Sequence, residues 1–171
     1  MIMGRKETNI IKAAPIQVRP AYREEWDDAM SLAWRTFMKF EAADYTKEGI
    51  ESFRDFVTDS TLYRMFVIGS YQLFCACDHN RIVGMISLRN ETHISLLFVE
   101  SSYHRRGIGR ALIEYVSNYV LLEEGFKVIT VNAAPYAVGF YHKLGFTDTD
   151  RAKTNDGIIY TPMERILKNN Q

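Results

Sequence analysis

Residues 93–131 place a strand, a glycine- and arginine-rich loop, an amphipathic helix and a second strand in immediate succession, and few architectures accept that order. His93-Ile-Ser-Leu-Leu-Phe-Val99 reads as the first strand, and Ser101 to Gly109 as the loop. Ile108, Ala111, Leu112, Tyr115, Val116, Tyr119 and Val120 then recur at helical spacing. Gly125 supplies a natural helix stop, and the β-branched run Lys127-Val-Ile-Thr-Val131 returns to the sheet. A right-handed crossover makes the two strands parallel. Upstream, Gln72–Ala76 and Ile82–Leu88 flank the polar connection Asp78-His-Asn-Arg81, and Asn90-Glu-Thr92 marks a second turn. Those strands form an antiparallel meander, so the sheet must be mixed.

The remaining elements fit around that sheet. Ile16-Gln-Val-Arg19 alternates apolar and polar residues before Pro20, as a short first strand does. Trp26, Met30, Ala33, Trp34 and Phe37 give a helix with one apolar face to about Phe40. A second helix starts near Tyr45 or Thr46, buries Ile50, Phe53, Phe56 and Val57, and ends near Thr58-Asp-Ser60. Tyr136–Leu144 reads as a short helix between Pro135 and Gly145, and Ile158–Tyr160 with Met163–Leu167 as a final strand. The fold class is α+β (mixed α/β), with helices on both sheet faces. At 171 residues the chain suits one domain over 15–171, preceded by an N-terminal arm at 1–14.

Charge and cysteine usage narrow the function classes. Lys plus Arg and Asp plus Glu both number 21, which argues against general nucleic-acid binding. Cys75 and Cys77 sit on one face of a strand, poorly placed for a disulfide and without a second Cys/His pair for a metal; the expectation is two buried thiols, no metal and a cytoplasmic protein. The first residues lack the apolar run of a secretory signal, and no stretch approaches a membrane span.

The chemistry concentrates in His104-Arg-Arg-Gly-Ile-Gly-Arg110. Gly107 and Gly109 allow close backbone approach, the following helix start offers free N–H groups, and Arg105, Arg106 and Arg110 add positive charge, together a pyrophosphate cradle. It is not a P-loop, which needs G-x-x-x-x-G-K-[ST]. Nor is it a dinucleotide fingerprint, because Leu112 stands at the third glycine position and Asn132, not an acid, ends the next strand. A nicotinamide-binding enzyme is therefore a weak reading.

Leu97-Phe-Val99 followed by Tyr103-His-Arg-Arg-Gly-Ile-Gly-Arg-Ala-Leu112 resembles the acyl-CoA-binding signature of the GCN5-related N-acetyltransferases, the GNAT superfamily. Val131-Asn132 and Phe140-Tyr-His-Lys-Leu-Gly-Phe146 resemble that family's next strand and tyrosine-bearing helix. One departure is His104, where the family usually has Gln or Arg; because the family's loop binds mainly through backbone amides, the change is expected to be tolerated. The resemblance implies a GNAT-like fold whose mixed, mostly antiparallel sheet has about six to seven strands and a central parallel pair. It implies an N-acetyltransferase that moves an acetyl group from acetyl-CoA to a primary amine of a small molecule or peptide by direct attack, without a covalent enzyme intermediate. The alternative is a non-catalytic acyl-CoA-binding sensor or interaction module on the same fold.

Residue by residue, the resemblance implies that Phe98 and Val99 offer backbone hydrogen bonds to the pantetheine arm. Arg105, Arg106, Gly107, Ile108, Gly109 and Arg110 would hold the pyrophosphate, and Asn132 and Tyr141 would lie beside the cofactor. A backbone N–H near Val99 would polarise the thioester carbonyl. Tyr141 is the expected catalytic acid for the departing thiolate, since a phenol stays protonated at neutral pH. The base is left open among Glu41, Asp44, Glu91, His93 and water. Residues 41–59 hold six acids and two bases, which as an acceptor wall would favour a cationic amine. Phe40, Glu41, Asp44, Tyr45 and His93 are its candidate residues. No nucleic-acid or membrane partner is expected, and exposed strand edges in such folds are compatible with a homodimer.

Overall fold

The computed structural model describes residues 15–169; the expected N-terminal arm at 1–14 lies outside the described residues. Among the described residues, eight strands form the sheet: β1 (Gln17–Pro20), β2 (Tyr71–Asp78), β3 (Arg81–Arg89), β4 (His93–Val99), β5 (Val128–Ala133), β6 (Thr147–Asp148), β7 (Lys153–Asn155) and β8 (Ile158–Ile166). Their order is β1-β2-β3-β4-β5-β8-β6, with β7 pairing β8. Only β4 and β5 are parallel, through His93 opposite Thr130 and Ile94 opposite Val131. The two strands that the sequence pattern does not predict, β6 and β7, have two and three residues, too short to carry a period-two pattern.

Among the described residues, five α-helices cover the sheet: α1 (Trp26–Phe40), α2 (Lys47–Val57), α3 (Ser60–Val67), α4 (Ile108–Leu122) and α5 (Val138–Lys143). The β2 side chains sort them by alternation. Phe74 and Ala76 join α4 and α5 in one core, while Tyr71, Leu73, Cys75 and Cys77 join α1, α2 and α3 in the other. Both cysteines are therefore buried and free, as their spacing foretold. Phe37 is fully buried and stacks on Phe53 with centroids 4.0 Å apart, a burial worth about 3 kcal/mol that ties α1 to α2.

Thr46 caps α2 by accepting from the Gly49 N–H, so the predicted start was placed correctly. The predicted end was correct too, but a separate helix follows at once. Asp59 caps α3 by accepting from the Thr61 N–H, and α3 buries Leu62. Thr58-Asp-Ser60 is thus a junction between two helices, and a cap looks the same in sequence whether a loop or a helix precedes it.

Candidate active site

The site begins with a defect in β4. Ser87 pairs with Leu96 and Leu88 with Ile94, which leaves Ser95 as an extra residue, a β-bulge. Beyond Ile94 the strand has no partner on its β5 side. The two parallel strands diverge from that point and open a cleft of about 1070 Å³ between them. The β4 edge beyond Ile94, including Phe98 and Val99, has no β5 partner and faces this cleft, with the Val99 carbonyl taken by a side chain of the next loop.

At the outer end lies the loop before α4. Arg105 (φ 62°) and Gly107 (φ 77°) are both left-handed, which turns the chain sharply into the helix. The first intrahelical bond is Ala111 N–H to Gly107 O, so the amides of Ile108, Gly109 and Arg110 have no helical acceptor. No acidic residue stands in the first turn, leaving the positive end of the helix dipole uncompensated. A Cβ on Gly109 would lie 3.1 Å from the Phe140 ring, so a side chain here would have to displace that ring and would cover the backbone. These features fit a diphosphate. Arg105, Gly107, Ile108, Gly109 and Arg110 line the cleft. Arg106 does not; its guanidinium sits 4.9 Å from the Tyr103 ring centroid. His104 donates from Nε2 to the Val99 carbonyl at 2.7 Å and packs against Phe40 at 4.8 Å. The residue that departs from the family pattern thus pins the loop to the end of β4.

Tyr141 lines the cleft from α5, with its ring held edge-on between Phe140 and Phe146. Burial, with a smaller contribution from Glu41, pushes its phenol well above the usual range, so the hydroxyl stays protonated. Glu41 lines the cleft at the C-cap of α1. Burial and the nearby Asp44 raise its carboxyl to about 7, the range in which a base is half ionised at neutral pH. His93 moves the other way: burial and Arg89 lower it to about 4, and its Nδ1 lies 2.8 Å from Thr130 Oγ1. It stays neutral at ordinary pH and is a weak base. Glu91 is exposed on the turn before β4 and does not line the cleft. Asn132 and Val131 line the β5 wall.

The opposite wall comes from α1 and α2. Phe40, Glu41 and Tyr45 line it; Asp44 is exposed and acts on the cleft only through its charge on Glu41 and Tyr45. Sequence reasoning missed Phe53, Phe56, Arg89, Asp156 and Ile158, which also line the cleft. Phe53 and Phe56 carried a signal, since two aromatics on a helix beside an acidic loop suit either a core or a pocket wall. Asp156 and Ile158 carried none. They arrive on the β7–β8 turn, where Gly157 packs so close to α2 that a Cβ on it would fall 2.1 Å from Thr46 Oγ1. Among the described residues, no group of three His, Cys, Asp or Glu side chains is placed to hold a metal ion. Among the described residues, no helix is long and apolar enough to cross a membrane.

The family model described as an acetyltransferase (GNAT) domain matches residues 41–167. The peptidyl-lysine N-acetyltransferase YjaB of Salmonella typhimurium is 27% identical over 145 residues, covering 82% of this chain and 90% of that protein. Among solved structures, a GCN5-related N-acetyltransferase from Rhodopseudomonas palustris superposes with a TM-score of 0.77 at 23% identity, over 91% of this chain and 98% of that one. The PaiA N-acetyltransferase of Thermoplasma acidophilum, solved in complex with coenzyme A, gives 0.74 at 20% identity, over 90% of this chain and 99% of that one.

Proposed function

The chain belongs to the GNAT acetyltransferase family and is an acetyl-CoA-dependent acyltransferase, and from that premise we propose that it acetylates a primary amine with Glu41 as base and Tyr141 as the donor to sulfur. One observation carries the assignment: a carboxyl held near 7 and a permanently protonated phenol line the same cleft, and the charge of the first is felt by the second.

In this reading the open β4 edge at Phe98 and Val99 receives the pantetheine amides, and the amides of Ile108, Gly109 and Arg110 receive the diphosphate, with Arg105 and Arg110 beside it. Acetyl-CoA supplies the activated thioester. Glu41 takes a proton from the incoming ammonium, because only the neutral amine carries a lone pair. The nitrogen then forms a bond to the acetyl carbon as the carbon–sulfur bond breaks. Tyr141 donates a hydrogen bond to the sulfur as charge develops there, and a second nitrogen proton is released with the product. His93, neutral and bonded to Thr130, orients the inner end of the cleft and takes no proton.

The acceptor side combines apolar walls from Phe53, Phe56 and Ile158 with the carboxyls of Glu41 and Asp156. That combination suits a slender amine with an apolar body adjoining its nitrogen. The test is acetyl-CoA-dependent thiol release across polyamines, aminoglycosides, amino acids, N-terminal peptides and lysine peptides. A preferred amine with saturable turnover is expected. CoA binding with no acceptor-dependent thiol release over the whole panel would refute the proposal.

A further inference from the structure

Three hydroxyls meet behind the cleft. Tyr71 Oη lies 2.6 Å from Ser87 Oγ and donates to Ser95 Oγ at 3.0 Å. Ser87 Oγ in turn accepts the backbone N–H of Leu96 at 3.1 Å. Tyr71 is 1% exposed and Ser87 is wholly buried, so these groups cannot exchange their partners for water. They come from three adjacent strands, β2, β3 and β4.

What they hold is the bulge. Ser95 is the unmatched residue of β4, and Leu96 is the first residue after it. At this point the inward Leu96 N–H is held by a serine side chain of the neighbouring strand. Without that acceptor, the buried Leu96 N–H loses a partner that ties β4 to β3 beside the bulge, which favours a return of β4 to regular register. A one-residue slip would exchange the two faces of the strand from Leu96 to Val99. Leu96 and Phe98 now pack in the core of α1 and α2, whereas Leu97 and Val99 pack toward α4. The bulge also lies next to the last β4–β5 pair, at Ile94 and Val131.

We infer that the Tyr71–Ser87–Ser95 hydroxyl cluster is a positioning device, which locks the bulge and thereby sets the β4 edge that grips the pantetheine arm. The inference rests on the proposed placement of CoA along that edge. It gives these residues no part in proton transfer. Their effect is confined to the portion of the ligand that touches β4 and leaves the diphosphate cradle at α4 untouched.

The test compares two ligands by titration calorimetry: CoA, which carries both pantetheine and diphosphate, and ADP, which carries the diphosphate alone. Tyr71→Phe removes one oxygen without changing shape, and Ser87→Ala removes the side-chain acceptor of the Leu96 N–H and one of the two partners of the Tyr71 hydroxyl. Each is expected to weaken CoA binding roughly threefold to tenfold, as loss of a buried hydrogen bond does. ADP binding should be unchanged, and the KM for acetyl-CoA should rise while the KM for the amine stays put. A purely structural role would lower the urea midpoint and leave the CoA-to-ADP ratio as it was, which would overturn the inference. Equal losses for CoA and ADP would overturn it as well. If Ser87→Ala fails to fold, the isosteric Tyr71→Phe decides. Wild-type protein that binds CoA no more tightly than ADP would refute the placement of pantetheine on β4 itself, a failure recognisable without any variant.

Discussion

Replacing Glu41 with Gln should stabilise the protein and cripple it in the same pH range. The carboxyl is held at about 7 against an ordinary 4.5, chiefly by burial. A displacement of that size makes the charged form about 3 kcal/mol less favourable in the folded chain than in the unfolded one. The folded pKa is raised, so the neutral carboxyl's contribution to stability is complete below pH 4.5 and disappears as pH climbs through 7. Gln stays neutral throughout. Urea unfolding should therefore find Glu41→Gln and wild type alike near pH 4, with the variant pulling ahead between pH 4.5 and 7 by up to about 3 kcal/mol at pH 8. In the same preparation, kcat/KM for the amine should lose the limb that wild type shows near pH 7. A stability difference that does not change with pH would refute the burial argument. A variant that keeps both the limb and the wild-type rate would refute the assignment of Glu41 as base.

Three other substitutions probe separate parts of the cleft. Tyr141→Phe should lower kcat about a hundredfold while CoA affinity measured by calorimetry stays near wild type, because the hydroxyl acts as sulfur leaves. Gly109→Val places carbon 3.1 Å or closer to the Phe140 ring and covers the helix amides, so CoA affinity should fall at least tenfold, or about 1.4 kcal/mol. Gly157→Ala puts a methyl against Thr46 Oγ1 at a φ of 77° and should cost about 1–3 kcal/mol in urea unfolding. The same change should raise the KM for the amine, since Asp156 and Ile158 flank that turn, and leave the KM for acetyl-CoA alone.

Much of the fold was legible because its long elements carry strong periodicity. The α4 stripe and the β-branched β5 on either side of one loop determine a parallel pair, and the polar turns around β3 determine the meander. The loop geometry proposed to hold a diphosphate was legible as well. It depends on glycines, a helix start and the absence of acids, all of which are local in sequence. The short strands β6 and β7 and the helix α3 were not, since two or three residues have no period and a cap gives no sign of what precedes it.

What the sequence determined by itself, then, is the order of elements and the place where backbone donors are exposed, because both follow from interactions within a few residues. The tertiary structure decided the chemistry of the side chains. Of Glu41, Asp44, Glu91 and His93, burial and the exposed Asp44 raise Glu41 to about 7 and burial lowers His93 to about 4, which is why the proposed base is Glu41. The same holds for Ser95: nothing in Ile94-Ser-Leu96 announces a bulge, which exists because Tyr71 and Ser87 bring hydroxyls to it from two other strands. Desolvation and cross-strand hydrogen bonds depend on neighbours dozens of residues away along the chain, and a linear sequence does not say which neighbours those are.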